Sequence, residues 1–428
     1  MDNMINRILS LFNNNYLLIK DNFMIFIAFN LANLIGFLFQ FYMGRVLGPS
    51  DYGILGTLIS MIYLFNVFIL AIQTSITKFV SDLKVKKEYN KIAYLLVRSL
   101  KKLFVVSLII IMSLIIVSPL VTDFLHIDKT PFIIITFFIL FAGIIPVTRG
   151  ILQGLQRFTS YGFNYLIESL LKLLIAISLV YFGLRVNAGT LAFVLSSMFA
   201  FLFSLIPLRK FFVIAKEKFN TKNIYSYSFP VGFTLLVLTS LYTVDIILVK
   251  HFLDPINAGL YAAMALIGKA VFFGTFSIGQ VMFSKASELY YQNEHSKSVL
   301  YKSLLFICMA AIPVIILFYI FSDLIINISY GADYIGISNL IWLYSLVILL
   351  FTLTYTISLY NLAIGKTKFI YLLVLFNFIE ISLIWIFHNT ILEVITVLLY
   401  LFIVLFILSL FIVGVSKDVR YNVGNSSL

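Results

Sequence analysis

Twelve long apolar runs, separated by short polar connections, are the feature that most constrains the fold of this chain. A helix needs about 20 apolar residues to cross roughly 30 Å of hydrocarbon. Of the 428 residues 62% are hydrophobic and 11% are charged, which excludes a water-soluble enzyme. The sequence predicts an all-α integral membrane protein with about twelve transmembrane helices. They lie near residues 22–44, 53–77, 103–125, 131–152, 161–183, 187–208, 228–249, 258–284, 303–322, 337–362, 369–387 and 391–414.

Lysine and arginine are distributed unevenly between the two sets of connections. With the N-terminus inside, the inside segments hold 24 of these residues and the outside segments hold 4. Positively charged loops stay in the cytoplasm, so we expect an N-in/C-in, multi-pass protein of the cell (cytoplasmic) membrane. The basic loops would face anionic lipid headgroups, which explains the net charge of +12. No nucleic acid partner is expected, because no basic–aromatic module is present.

Two short motifs recur at nearly constant spacing. Residues 47–53 (LGPSDYG) resemble residues 253–259 (LDPINAG) at an offset of 206, and residues 154–158 (GLQRF) resemble 365–369 (GKTKF) at an offset of 211. Together they favour duplication of a six-helix unit into two pseudo-symmetric halves. The predicted divisions are an N-terminal interfacial segment at 1–21, a six-helix half at 22–208, a cytoplasmic linker at 209–227, a second six-helix half at 228–414 and a cytoplasmic tail at 415–428. The longest connections are expected to run about 25 residues.

Charged residues in or near the ends of spans are the candidate site residues, because a charge inside the membrane is costly unless it faces water or a partner. Glu168 and Lys172 are one helical turn apart and can neutralise each other, or they can serve a substrate. Arg45 and Arg149 lie near opposite ends of spans one and four. Arginine suits phosphate, although a side chain at a helix end can also simply reach the surface.

Three further charges lie in spans seven, eight and eleven. Lys269 is near mid-depth, so it should face a wet cavity or a carboxylate. Glu380 is also near mid-depth, where a helix–helix hydrogen bond is the simpler alternative. Asp245 lies about one turn from the outer end of its span, where it can pair with Lys250 or reach the surface.

The sequence lacks the residue patterns that metal binding, ATP hydrolysis, disulfide formation and nucleophilic catalysis require. The four histidines (126, 251, 295 and 388) lie in loops or at span ends, so no metal site is expected. No P-loop occurs, and the single Cys308 has no disulfide partner. No nucleophile–base set is visible. Transport without a cofactor is therefore a better prediction than catalysis.

The motifs resemble those of a known family. Residues 44–53 (GRVLGPSDYG) look like the R-x-L-G-P-x-D-Y-G pattern of polysaccharide biosynthesis membrane proteins, and residues 149–158 (RGILQGLQRF) are similar to their R-G-x-x-Q-G-x-x-R-F stretch. Asp245 with residues 259–261 (GLY) resembles their D…G-x-Y segment. These proteins are Wzx-type O-antigen flippases of the multidrug/oligosaccharidyl-lipid/polysaccharide (MOP) exporter superfamily, and the likeness covers essentially the whole chain.

The resemblance implies a MATE-like architecture and a flippase that moves polyprenyl-(pyro)phosphate-linked oligosaccharide from the cytoplasmic to the outer leaflet by alternating access. It implies that the headgroup meets cationic residues in a cavity between the halves, and that carboxylates balance charge or bind a coupling H⁺ or Na⁺. Glycan-assembly enzymes are the protein partners it suggests. The candidate cations are Arg45, Arg149, Lys172 and Lys269, and the candidate carboxylates are Glu168, Asp245 and Glu380.

Other functions stay open at this point. A cation-coupled multidrug exporter of the same superfamily predicts a carboxylate in the first span, and there is none between Asp21 and Asp51. A lipid II flippase of the MurJ kind usually has fourteen spans. A membrane scaffold for glycan-assembly enzymes would tolerate charge reversal at Lys269, whereas a transporter would not.

Overall fold

Helices make up nearly all of the described chain. The computed structural model describes the backbone of residues 2–219, 232–292, 294, 296–366 and 368–415, and side chains within these ranges from residue 24 onward, except residues 291 and 415. These ranges contain no β-strand. A backbone in hydrocarbon must satisfy its own hydrogen bonds, which helices do within one segment. The predicted all-α membrane fold is confirmed.

The helices follow one another with short connections. Those before residue 220 are α1 (Asp2–Val85), α2 (Tyr89–Leu125), α3 (Lys129–Thr136), α4 (Phe138–Gly154), α5 (Phe158–Tyr181), α6 (Arg185–Leu205) and, in the predicted linker, α7 (Arg209–Val213). Those after it are α8 (Gly232–Ser240), α9 (Val244–Phe252), α10 (Pro255–Tyr291), α11 (Lys297–Ile320), α12 (Ser322–Ser329), α13 (Ile341–Ala363), α14 (Phe369–Ile386) and α15 (Ile391–Val415).

The predicted spans are accommodated by these helices. Within the described residues, ten stretches are long and apolar enough to cross a membrane, or eleven if the bent pair α8–α9 is one span. Helix α1 contains the first two predicted spans. It is broken between them at Gly48, where φ is 71° and ψ is 172°. Glycine adopts this conformation without a steric penalty, and the following Pro49 has no N–H to continue the helix. Counting both sides of the break gives the twelve predicted spans.

The lysine-rich stretch at 78–102 is helical rather than a long loop. Only residues 86–88 separate α1 from α2, so the connection of about 25 residues between predicted spans two and three is formed mostly by helix. The reason is an apolar face on the first turns of α2, where Ile92, Leu96 and Leu103 are buried. They belong to the same core cluster as Ile76 and Val80 of α1. Burial of this face extends both helices beyond the hydrocarbon.

The chain forms two compact units. The first comprises Met1–Met43 and Phe65–Phe233, and the second comprises Gly44–Leu64 and Thr234–Leu428. In the first unit α5 packs along α6, and α2 packs along α4. In the second, α10 packs along α13, which also contacts α15. Both sides of the break at Gly48 thus belong to the second unit, although they lie in the first half of the sequence.

Predicted span seven is broken next to its charged residue, Asp245. Helices α8 and α9 meet at a bend of 43°. The Thr243 hydroxyl donates to the Thr239 carbonyl across the break at 2.6 Å. Asp245 lies in the first turn of α9, directly after the bend. Broken spans place polar groups inside a membrane protein, so this is where a site is expected.

The terminal and linker predictions remain predictions. The backbone of residues 2–23 is helical and continuous with the first span. Residues 220–227 of the linker, residues 228–231 at the start of the predicted second half, and residues 416–428 of the tail lie outside the described residues.

Candidate functional site

Arg149 is held by one face of α5 in the first unit. Its Nε donates to the Asn164 side-chain oxygen at 2.8 Å, and its terminal nitrogen donates to a Glu168 carboxylate oxygen at 2.6 Å. The guanidinium carbon also lies 3.7 Å from the ring centroid of Tyr165. Since Asn164 and Glu168 are one turn apart, α5 offers both acceptors to α4 together. Arg149 is buried, and its charge is neutralised within the unit.

Glu168 therefore pairs with Arg149 and not with Lys172, the neighbour that the sequence suggested. The Lys172 ammonium lies 4.6 Å from the ring centroid of Phe193 and 5.2 Å from that of Phe39. Within the described residues no carboxylate lies inside the 4.0 Å ion-pair distance of Lys172. Aromatic faces attract a cation but accept no strong hydrogen bond, so the three N–H groups stay free for an anion.

An amide and tyrosine network adjoins this pair. The Gln73 side-chain nitrogen lies 2.8 Å from the Tyr161 hydroxyl and 3.3 Å from the Gln153 side-chain oxygen. The Tyr165 hydroxyl donates to Gln73 at 3.4 Å, which connects the network to Arg149. Sequence reasoning missed these residues, although the i, i+4 spacing of Tyr161 and Tyr165 marked a polar face on α5.

In the second unit Asp245 is bound by two tyrosines. Its Oδ2 accepts hydrogen bonds from the Tyr261 hydroxyl at 2.8 Å and from the Tyr344 hydroxyl at 2.7 Å. Its Oδ1 is buried and has no hydrogen-bond partner among the described residues. Asp245 does not pair with Lys250, the neighbour considered from the sequence: no ion pair joins them within 4.0 Å. Tyr261 ends the D…G-x-Y segment quoted above, but its contact with Asp245 was not predicted, and Tyr344 was not singled out from the sequence.

Glu380 and Lys269 lie near the same aspartate. Glu380 is 0% exposed, and neither of its carboxylate oxygens has a hydrogen-bond partner in the described part of the chain. Lys269 is 2% exposed, and its ammonium lies 5.4 Å from the ring centroid of Tyr242. Lys269 interacts electrostatically with both carboxylates, but no ion pair within 4.0 Å joins them. The second unit thus holds two acids and one base that are close but not paired.

Arg45 lies apart from these charges, at the break in α1. It is exposed, and it donates to the Asn327 carbonyl at 2.7 Å. Nearby, the hydroxyls of Tyr52 and Tyr330 are 2.9 Å apart, and the Tyr334 hydroxyl donates to the Gly44 carbonyl at 2.8 Å. Arg45 therefore belongs to a contact that fastens the break to α12 and the turn after it.

The two motifs that recur in the sequence meet in this contact. A Cβ built on Gly53 would lie 2.9 Å from the Gly259 nitrogen, and one built on Gly259 would lie 1.7 Å from the Pro49 carbonyl oxygen. Only glycine permits backbones to approach so closely. The shared glycine of the two motifs is explained by this approach.

Metal binding finds no support in the described ranges, where no three His, Cys, Asp or Glu side chains come together. His295 lies outside the described residues.

Solved structures with a similar fold include membrane transporters. An inward-facing multidrug resistance MATE family transporter of the MOP superfamily matches with a TM-score of 0.74 at 13% identity, covering 90% of this chain and 94% of that one. The lipid II flippase MurJ in an inward closed conformation matches with a TM-score of 0.71 at 18% identity, covering 92% and 87%. A MOP superfamily transporter from Pyrococcus furiosus, described as having a binding pocket of reverse polarity, matches with a TM-score of 0.63 at 13% identity, covering 92% and 95%. At these identities the likeness shows the fold.

The family is shown by the sequence itself. No curated protein matches the sequence. Residues 42–339, well over half of the chain, match the family described as "Polysaccharide biosynthesis protein". The match includes the break at Gly48, both repeated glycine motifs and all the charged residues described above except Glu380. With this match over most of its sequence, the chain belongs to the polysaccharide biosynthesis protein family, and its fold is similar to that of solved MOP superfamily transporters.

Proposed function

We propose that this protein flips polyprenyl-(pyro)phosphate-linked oligosaccharide from the cytoplasmic to the outer leaflet, by alternating access, for surface polysaccharide or glycan assembly. The observation that carries the proposal is that Lys172 and Lys269 form no ion pair with a described carboxylate. Both lie within predicted spans, and neither has a carboxylate at ion-pair distance among the described residues. An ammonium group inside a membrane is costly without a counter-ion. A phosphate in the headgroup of the cargo supplies that counter-ion.

The physics of such a cargo fits this kind of protein. A sugar–phosphate head cannot enter hydrocarbon unaided, because its charges and hydroxyls lose their hydrogen bonds to water. The polyprenyl tail never has to leave the bilayer. The protein therefore needs only to shelter the head, and lysines of this kind bind phosphate as point charges.

The arginines have other roles in this proposal. Arg149 is already bonded to Glu168 and Asn164, so binding phosphate would break an existing buried pair. Arg45 is exposed and fastens the break in α1. We assign Glu168 to neutralising Arg149, and Asp245 and Glu380 to the charge balance around Lys269.

The second candidate is a cation-coupled multidrug exporter, since solved structures with this fold include multidrug transporters. Lys172 has no carboxylate at ion-pair distance among the described residues, and it disfavours a cationic drug nearby because like charges repel strongly where water is scarce. A scaffold for glycan-assembly enzymes would have no need of unpaired lysines within its spans.

The proposal also covers the orientation of the protein in the membrane, its partners and the energy source for transport. We propose the N-in/C-in orientation in the cytoplasmic membrane, contact of the basic loops with anionic headgroups, and supply or removal of the cargo by glycan-assembly enzymes. Because the sequence contains no P-loop, an ion gradient or consumption of the product would drive the transport.

Deletion of the gene tests the proposal. Lipid-linked oligosaccharides would be measured by mass spectrometry, and their leaflet by access to an added glycosidase. We expect a protected species to accumulate, with rescue by wild type and by the exposed-lysine control Lys129→Gln, but not by Lys269→Glu. Unchanged lipid-linked sugars in a strain without a redundant flippase would reject the proposal and favour drug–cation exchange. Rescue by Lys269→Glu would favour a scaffold.

A further inference from the structure

The positive charge of the chain is concentrated in two stretches of the first unit. Residues 78–102 and 209–219 together carry 12 Lys or Arg and 3 Asp or Glu, so they hold +9 of the net charge of +12. At the repeat offset of 206, residues 284–308 correspond to residues 78–102, and they carry only 3 Lys and 2 Glu. The smaller number is enough to orient the second half by the positive-inside rule. The excess in the first half therefore needs a second explanation.

The two stretches pack together as one cap on the first unit. Leu103 of α2 and Phe211 of α7 belong to the same hydrophobic core, and α2 packs against α7. Farther along the chain, the Glu217 amide donates to the Asn90 carbonyl at 3.3 Å. The chain after α7 therefore runs back along α2 toward its first residue. The start of α7 lies at the membrane end of the cap.

Five exposed cations of the cap adjoin an apolar surface. Large apolar side chains are exposed directly after these cations on α2 and directly before them at the end of α6, such as Val105 at 54% and Ile206 at 59%. Exposed apolar side chains of this kind face lipid tails. The adjoining cations therefore lie in the headgroup layer. We call them the cationic belt: Arg98, Lys101, Lys102, Arg209 and Lys210.

The belt differs from the outer part of the cap, where charges are balanced locally. Away from the apolar surface, Lys86 pairs with Asp82 at 2.8 Å. Lys91 likewise pairs with Glu88 at 2.8 Å. Around the belt, residues 89–103 and 204–216 contain no Asp or Glu at all. The belt thus presents a concentrated positive charge to the anions of the headgroup layer.

The asymmetry between the halves favours one of these anions. Lipid phosphates are the anions of this layer. Bulk phospholipid surrounds both halves of the protein, so a role in holding bulk lipid calls for such a belt in each half. The lipid-linked cargo carries the same phosphate and has to be gathered only on the side from which it is taken. A single belt suits the cargo better than bulk lipid.

We propose that the cationic belt collects the cargo by its lipid phosphate from the cytoplasmic leaflet, before the headgroup enters the protein. The inference rests on the proposed function and its N-in/C-in orientation, and it adds a binding site outside the spans. Because the belt acts before transport, it sets the cargo concentration at which flipping saturates and leaves the maximum rate unchanged.

Flipping kinetics in phosphatidylcholine liposomes test the inference with two variants of equal charge loss. The belt variant carries Lys101→Gln, Arg209→Gln and Lys210→Gln. The control variant loses three cations from the corresponding stretch of the second half and carries Lys285→Gln, Lys297→Gln and Lys302→Gln.

We expect the belt variant to raise the KM for cargo at least about fivefold with kcat unchanged, since a single Lys or Arg beside an anionic surface contributes about that factor. The control should keep both constants. Added phosphatidylglycerol should compete for the belt, so it should raise the KM of wild type and not that of the belt variant. An unchanged KM in the belt variant, or an equal rise in the control, would overturn the inference.

Native mass spectrometry separates this inference from the proposed function. The probe is polyprenyl phosphate, which has the lipid phosphate and no sugar, and all proteins carry Lys172→Gln and Lys269→Gln to remove the proposed internal lysines. The belt variant should retain at least about fivefold less probe than the control. Equal retention would overturn the inference. If no oligosaccharide is flipped but retention follows the belt, the proposed function fails while the phosphate site stands.

Discussion

Gly53 and Gly259 pack backbone against backbone. A Cβ on Gly53 would lie 2.9 Å from the Gly259 nitrogen and 3.1 Å from its Cα. Each glycine ends one of the two motifs that repeat at an offset of 206 residues. The two motifs thus place a small residue on both sides of one contact, where the connection between the first two spans meets the start of α10.

Replacing Gly259 by alanine should destabilise the protein, because the new methyl group would lie 1.7 Å from the Pro49 carbonyl oxygen. Overpacking of this kind typically costs about 1–3 kcal/mol. Thermal unfolding in detergent measures it. Gly274→Ala is the matched control in the same helix, since nothing lies within 4 Å of its Cβ. Equal unfolding temperatures for the two variants would contradict the close packing at Gly259.

Fixing this contact should stop transport, because it joins the two predicted six-helix halves, which separate in the alternating access that we propose. A Cβ built on Gly56 lies 2.9 Å from the Ala262 Cβ, within about 1 Å of disulfide spacing. In a Cys308→Ser background, we expect oxidised Gly56→Cys/Ala262→Cys to lose flipping and to regain it on reduction. The single variants serve as controls. Full flipping by the cross-linked protein would show that the contact stays closed throughout transport.

The Arg149–Glu168 pair should behave as a structural unit. Breaking a buried pair from one side typically costs about 3–5 kcal/mol, and the 22% exposure of the Glu168 side chain favours the lower end. Arg149→Met should therefore destabilise more than Arg149→Met/Glu168→Gln does. A double-mutant cycle on unfolding free energies measures the coupling. Additive effects would mean that the 2.6 Å contact carries no energy.

The stability that Asp254 contributes should be lost at acidic pH, below about pH 4. Burial acts to raise the pKa of Asp254, but hydrogen bonds from Asn257 and Ile256 outweigh it, so the pKa lies below its ordinary value. Its carboxylate caps α10, accepting from both backbone amides at 3.0 and 3.1 Å. A lowered pKa in the folded state adds stability above the unfolded value of about 3.9, and that stability is lost as the pH falls through the folded pKa.

The measurement is the unfolding temperature of wild type and Asp254→Asn at several pH values. Asparagine keeps the cap but has no charge to titrate. We expect the advantage of wild type to be present at pH 6 and to shrink below about pH 4. A difference that does not change with pH would contradict the role of the charge.

The sequence predicted the spans well because each apolar run is long enough to cross the membrane by itself. Its charges led to Arg149, Asp245, Lys269 and Glu380, since a charge in hydrocarbon demands a reason. It did not predict how these groups pair. Glu168 accepts a hydrogen bond from Arg149 of α4 and forms no ion pair with Lys172, its neighbour on α5. Arg149 comes close to Glu168 only when the two helices pack.

The uncharged partners were missed for a related reason. Tyr261 and Tyr344 are 83 residues apart in sequence, and only the packing of α10 against α13 brings both hydroxyls to Asp245. The helical start of α2 was missed because its lysines mask a buried face that includes Ile92 and Leu96.

Reconstituted flipping tests the central claim most directly. Purified protein would be placed in liposomes that contain lipid-linked oligosaccharide, and headgroup exposure would be followed with a membrane-impermeant glycosidase. We predict rapid exposure with wild type and Lys129→Gln, and a loss of at least about tenfold, or 1.4 kcal/mol, with Lys172→Gln/Lys269→Gln. Exposure at the rate of protein-free liposomes, or full activity without both lysines, would contradict the account.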